Sequence, residues 1–164
     1  PCTVLVIGES PGKSENLLGQ PFVGPAGQQL DYIIEQALIN SGKTLRIAWT
    51  NIIACIPIGE EGTKTEEPPK EAIDKCAPRL KELVRIAQPK LIVVAGKLAK
   101  RHVFSQAQFC EEGEDDQPPW IPEGSYLQFC NIIHPAAVIR ADISLRGLLV
   151  QRCIVTLTEA FELL

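Results

Sequence analysis

A five-residue apolar run, Thr3-Val4-Leu5-Val6-Ile7, ends directly on Gly8-Glu9-Ser10-Pro11-Gly12-Lys13-Ser14, and this junction narrows the folds open to the chain. A short continuous run with β-branched residues suits a strand buried on both faces of a parallel sheet. The loop after it looks at first like a phosphate cradle. That pattern needs four residues between its first Gly and the Gly-Lys-Ser, so that successive N–H groups curl around an anion. Here only Glu9, Ser10 and Pro11 intervene. A phosphate loop also opens a long helix at once, whereas Gly19, Pro21, Gly24 and Pro25 follow and exclude one. A nucleotide hydrolase would further want an acid for Mg²⁺ after the third apolar run, which instead continues Val94-Ala95-Gly96-Lys97.

The rest of the chain alternates between two periodicities. Leu30–Leu38 carries apolar residues at helical spacing and stops at Asn40-Ser41-Gly42, and Leu45–Ile53 reads as a second strand. Residues Pro69–Gln88 repeat apolar positions as a helix does, with Pro89 at the exit, and lead to a strand at Leu91–Ala95. A short helix around Leu98–Val103, a strand at Leu127–Ile133 and a final amphipathic helix at Ser144–Phe161 complete the pattern. Alternating strands and helices predict a three-layer α/β/α domain with a central, mostly parallel, four-stranded sheet, one domain over residues 1–164. In such sheets ligands bind beyond the carboxyl ends of the strands. Three polar features fall at such ends: Gly8–Ser14, Asn51 and His134.

With 45% hydrophobic and 22% charged residues, the composition is that of a globular domain with no bilayer-spanning run and no signal-peptide pattern, which predicts a cytoplasmic location without membrane association. The net charge of −4 argues against a protein that coats nucleic acid, but Glu60–Glu67 and Glu111–Asp116 hold much of the acid. Lys13, Lys97 and Arg140, at or near strand ends, provide a local positive lip. Six cysteines without a Cys-x-x-Cys pair read as intracellular thiols or metal ligands. His102, beside Lys100 and Arg101, reads as a surface residue.

Taken in order, Gly8-Glu9-x-Pro11-Gly12, Glu15, Gly19-x-Pro21-Phe22-Val23-Gly24-x-Ala26-Gly27, Thr50-Asn51-x-x-x-Cys55 and His134-Pro135 with Arg140 resemble the family 4 uracil-DNA glycosylases. The resemblance implies a monofunctional glycosylase that hydrolyses the bond between uracil and deoxyribose in DNA. Such cleavage builds positive charge on the sugar and negative charge on the base, so the enzyme must hold an extruded base and stabilise its anion.

On that resemblance, Gly8, Pro11, Phe22 and Asn51 bind the substrate. Phe22 stacks on the uracil, a contact worth about 1–3 kcal/mol; ordinary core packing is the alternative. Asn51 reads N3–H and O4, since its amide offers one acceptor and a donor pair; a local turn bond is the alternative. His134 donates to O2 as a neutral imidazole; a core or capping histidine before a proline is the alternative. Glu9 orients a water or stabilises an oxocarbenium-like sugar, and Glu15 is a second catalytic carboxylate or else a solvated loop acid. After His134-Pro135, Val138 and Ile139 are candidates for an apolar wedge in the duplex and Arg140 for a phosphate contact, unless the run is only the first turn of a helix.

Family members of this kind commonly hold a [4Fe–4S] cluster on four cysteines. Cys55 and Cys76 match one pair; the other pair is not found in this chain. Three explanations stay open: a missing N-terminal segment, loss of the cluster, or substitution by Cys2, Cys110, Cys130 or Cys153. No cofactor is therefore assigned with certainty. The expected partner is uracil-containing DNA, met by a monomer. The competing reading is a catalytically weak or inactive glycosylase-like module that binds DNA or protein in association with a replication or repair enzyme.

Overall fold

The computed structural model describes residues 1–58, 67–105 and 127–164. Its elements run β1 (Val4–Gly8), α1 (Lys13–Leu18), α2 (Pro25–Ser41), β2 (Ile47–Asn51), α3 (Lys70–Ala87), β3 (Leu91–Ala95), α4 (Lys97–Ser105), β4 (Gln128–Ile132), α5 (Pro135–Arg140) and α6 (Ile143–Glu162). The strands form one sheet in the order β2-β1-β3-β4, every pair parallel. The expected three-layer architecture is observed, with a sheet that is parallel throughout.

Strand alternation divides the core. Val4 and Val6 of β1, with Leu91, Val93 and Ala95 of β3, face α2 and α6 and pack on Leu30, Ile33, Leu157 and Phe161. Leu5, Ile7, Ile92 and Val94 face the opposite way, onto Ile73, Leu80 and Val84 of α3 and Leu98, Ala99 and Val103 of α4. Both faces of β1 and β3 are thus covered, which is why their sequences are continuously apolar rather than alternating. Each such side chain contributes on the order of 1.5–3 kcal/mol when fully buried.

The helix covering one face leads from β1 to β2, and the helix covering the other leads from β2 back past β1 to β3. The chain therefore reverses its direction of travel between β1 and β3. At such a switch point the loops leaving adjacent strands diverge to opposite faces and open a crevice. Glu9 follows β1 and Gly96 follows β3, so both stand at its mouth.

Differences from the sequence reading lie at short elements and edges. β2 is shorter than Leu45–Ile53 because the chain turns after Asn51, although Ile52 and Ile53 still donate backbone bonds to the Gly8 and Glu9 carbonyls. The α1 helix has no buried residue; it exists because Glu15 caps its start and Gly19, in the left-handed region at φ 66°, ends it. His102 is buried, not a surface residue: it recurs four residues after Leu98 on the inward face of α4, while Lys100 and Arg101 face outward. Its burial pushes the imidazole below its ordinary value. Pro78 sits inside α3 at an exposed position.

Truncating Phe161, fully buried where α6 meets α2, to alanine is expected to lower stability by about 3–5 kcal/mol. Leu148→Ala, on the exposed side of the same helix, should stay within about 0.5 kcal/mol. Urea midpoints at a common slope measure both, and equal losses would contradict this core.

Candidate active site

The four strand ends converge on a cavity of about 1120 Å³ whose walls include Glu9, Pro11, Phe22, Asn51, Gly96 and His134. Each reaches it by a different local device. Asn51 closes β2, where its Cα is in register with Gly8. A Cβ at Gly8 would stand 2.6 Å from Asn51 Oδ1 and 2.6 Å from Phe22 Cζ. Gly8 is thus no wall of the cavity; its lack of a side chain is what lets the amide and the ring approach each other.

Phe22 has the backbone conformation of a left-handed turn, φ 57°, which costs an L-residue with a bulky side chain about 1–3 kcal/mol. The surroundings enforce it. Gly27 admits the Phe22 backbone so closely that a Cβ there would lie 1.7 Å from the Phe22 carbonyl oxygen. The ring rests on Trp49 of β2, with centroids 5.2 Å apart at a 50° tilt.

Glu9 and His134 meet across Gly96. A side chain at Gly96 would come within 2.7 Å of Glu9 Oε1 and 3.0 Å of His134 Cδ2, and its φ of 99° is one that L-residues rarely adopt. Burial pushes the Glu9 carboxyl above its ordinary value and the nearby charge of Glu67 adds to this; the Leu98 N–H and Arg140 pull the other way. Burial, then the Arg140 charge, pushes the His134 imidazole down. His134 caps α5: its Nδ1 accepts from the Ala136 N–H at 3.1 Å. A nitrogen that accepts carries no proton, so neutral His134 holds its hydrogen on Nε2.

Glu15 differs from the expectation. Its Oε2 accepts from the Gly12 N–H at 3.1 Å and its Oε1 from the Gly24 N–H at 2.7 Å. A carboxylate engaged at both oxygens ties the β1 loop to the start of α2 while its side chain also lines the cavity. Val138 is fully buried on α5 and unavailable as a wedge; Ile139, half-buried, and exposed Arg140 remain. Arg146 of α6 holds this segment by donating to the Ile139 carbonyl at 2.6 Å and the Ala141 carbonyl at 3.3 Å. Lys97 and Arg140 line the cavity, whereas Lys13 does not.

Among the described residues the cysteines do not form a cluster ligand set. Cys55 is exposed after β2, and Cys76 is half-buried on α3 against the second core. Cys130 and Cys153 lie in the first core, across the sheet from Cys76, and burial raises the Cys130 thiol to about 12. They cannot complete a set with Cys76. Cys2 packs in the second core, and Cys110 lies outside the described residues. Among the described residues no group of three or more His, Cys, Asp or Glu side chains is arranged to hold a metal ion. The residues described do not fit a four-thiolate cluster.

Gly96 is the site residue that sequence reasoning missed. Its signal was its place directly after the apolar run Leu91–Ala95, the same strand-end position that singled out Gly8, Asn51 and His134.

A family model described as the uracil DNA glycosylase superfamily matches residues 2–157. The type-4 uracil-DNA glycosylase of Pyrobaculum aerophilum is 29% identical over 148 residues, covering 88% of this chain and 71% of that protein. The one from Sulfurisphaera tokodaii is 32% identical over 103 residues, 63% of this chain and 44% of that protein. The one from Archaeoglobus fulgidus is 28% identical over 141 residues, 83% and 66% respectively.

Because burial disfavours the Glu9 carboxylate, Glu9→Gln should raise the melting temperature at neutral pH. Glu9 titrates higher in the folded than in the unfolded chain, so its cost is absent at acid pH and develops as pH rises through the folded value. The gain from Gln therefore grows with pH. Calorimetric scans from pH 4 upward read it, and a gain confined to acid pH would reverse the assigned cause.

Proposed function

We propose that this chain, which belongs to the uracil DNA glycosylase superfamily, hydrolyses the N-glycosidic bond of uracil in DNA without a lyase step. The observation that carries the reading is the meeting of Glu9, Phe22, Asn51 and His134 on one cavity at the sheet's switch point. Uracil leaves as an anion whose charge spreads over N1, O2 and O4, and each polar group matches part of that distribution. The Asn51 amide donates to O4 and accepts from N3–H, a pattern that cytosine inverts. Neutral His134 donates from Nε2 to O2, so the donor is present without a proton having to be acquired first.

Glu9 faces the sugar side of this arrangement. As a carboxylate it orients a water toward C1′ and stabilises the positive charge that develops on the sugar ring. The water oxygen bonds to C1′ as the C1′–N1 bond breaks, giving up a proton to the Glu9 carboxylate, and the bonding pair leaves with uracil, which takes up a proton on release. Phe22 supplies the stacking face for an extruded base. Ile139 fills the space left in the helix, and Arg140, on the rim, holds a flanking phosphate.

A labelled oligonucleotide with one uracil, incubated with the protein and then treated with alkali, tests the reading. Scission should require alkali, since no amine attacks C1′. Asn51→Ala and His134→Ala should each lower kcat by about 10²–10³, the range for removing one preorganised donor. Activity should persist through neutrality and fall only below the ordinary imidazole range, because the His134 value is lowered and His134⁺ can no longer accept from Ala136. Binding of the oligonucleotide with no abasic product from the wild-type protein would sink the proposal in favour of a binding module.

A further inference from the structure

Asn51 stands on an edge strand, and the means by which its backbone is held determines where its amide points. Among the described residues β2 pairs only with β1 in the sheet. The Ile52 N–H donates to the Gly8 carbonyl at 2.9 Å, toward β1. Alternation along a strand then turns the Asn51 carbonyl the other way, to the side that no strand among the described residues covers. An unpaired edge carbonyl leaves the peptide free to rotate and to carry the side chain with it.

Arg79, one helical turn beyond Cys76 on α3, occupies that side. Its Nη2 donates to the Asn51 carbonyl oxygen at 2.6 Å and its Nη1 to Thr50 Oγ1 at 3.2 Å. The Asn51–Ile52 peptide is thereby gripped at both ends, its carbonyl by Arg79 and its N–H by Gly8. The guanidinium is rigid and forked, so two bonds fix a direction as well as a distance. Its Nε is buried and has no partner among the described residues, so the two Nη bonds carry the compensation for burying a cation there.

We propose that Arg79 is a positioning residue for base selection: it sets the orientation of the Asn51 amide from outside the cavity, without touching the base. Arg79 is not among the cavity walls. The inference rests on the reading of Asn51 as the uracil-reading residue, and two measurements separate the fate of each. The first needs no activity. In ¹H–¹⁵N spectra of the wild-type chain, the Asn51 side-chain amide, assigned by its loss in Asn51→Ala, should give one sharp pair displaced from solvent-exposed amides. In Arg79→Leu the pair should move to the exposed position, and in Arg79→Lys, which keeps charge and stem but only one donor head, part of the way. An Asn51 pair unmoved in both variants overturns the proposal, whether or not the protein excises uracil.

The second measurement is a double-mutant cycle on the uracil oligonucleotide. Misplacing a reacting or reading group by about 1 Å costs on the order of 100-fold, so Arg79→Leu should lose about that factor in kcat/KM. In an Asn51→Ala background the same change should lose less than about threefold, since there is no amide left to aim. Equal losses in both backgrounds mark Arg79 as merely structural and overturn the proposal. Should Arg79→Leu fail to fold by circular dichroism, Arg79→Lys enters both experiments in its place with the same criteria.

Discussion

The end of β1 must carry no side chain. At Gly8 the Asn51 amide and the Phe22 ring edge both come within the space a single Cβ would need. Two groups offered by separate segments, one from the end of an adjacent strand and one from a strained turn, are brought together only because that space is open. The parallel register that pairs Gly8 with Asn51 sets the height of the amide, and the Glu15 carboxylate fixes the loop that carries Phe22 toward it. Sheet registry and loop capping thus act on the same point from two sides. The neighbouring strand repeats the device at Gly96, where a vacant Cβ position brings Glu9 and His134 together.

An acidic chain proposed to act on DNA needs its local field to differ from its sum. Of 20 acids against 16 basic residues, the cavity holds Glu9, Glu15 and Glu67 beside Lys97, Lys100, Arg101, Arg140 and Arg152. Two of those acids are compensated: Glu15 by two backbone N–H groups, Glu67 by Arg101 at 3.4 Å across an exposed pair. Such an exposed pair adds little stability, yet it offsets an anionic charge near the rim. Glu9 remains the carboxylate whose charge is raised in energy by its surroundings, as suits a group that must respond to positive charge appearing on a substrate. Among the described residues the cations lining the cavity outnumber the acids, a balance that favours a phosphate chain crossing the rim.

The layered fold could be read directly because β1 and β3 are continuously apolar and α2, α3 and α6 carry long helical periods. The elements that were not legible are those whose formation depends on partners distant in sequence. The α1 helix buries nothing and rests on the Glu15 cap; α5 rests on the His134 cap and on Arg146 reaching its last carbonyls. Asn51 and His134 were readable because they stand at strand ends, and Phe22 because it lies in a motif that resembles a known family. The parts of Glu15, Val138, His102 and Arg79 were not, since each depends on which way a side chain turns. A carboxylate two residues from Lys13 reads as a loop acid until two N–H groups are found on it, and a cation on an otherwise apolar helix face reads as an exposed charge until an edge carbonyl is found beneath it.

Strain at Phe22 connects stability to recognition. Holding that residue in the left-handed region costs about 1–3 kcal/mol, and the cost is offset within the folded chain by Gly27, by the Trp49 ring and by the packing of α2 on the sheet. Had the ring been left on a mobile loop, ordering it would fall on each binding event instead, at about 0.5–1.5 kcal/mol for a side chain of this kind. A base that leaves the duplex has already lost its stacking partners. A stacking face fixed in advance returns part of that loss at once, and does so without regard to which base arrives, because every base has a flat face. Discrimination must then come from a directional group beside it. The Asn51 amide, fixed in register by β1 and gripped from the open edge by Arg79, has the rigidity that such a division of labour demands.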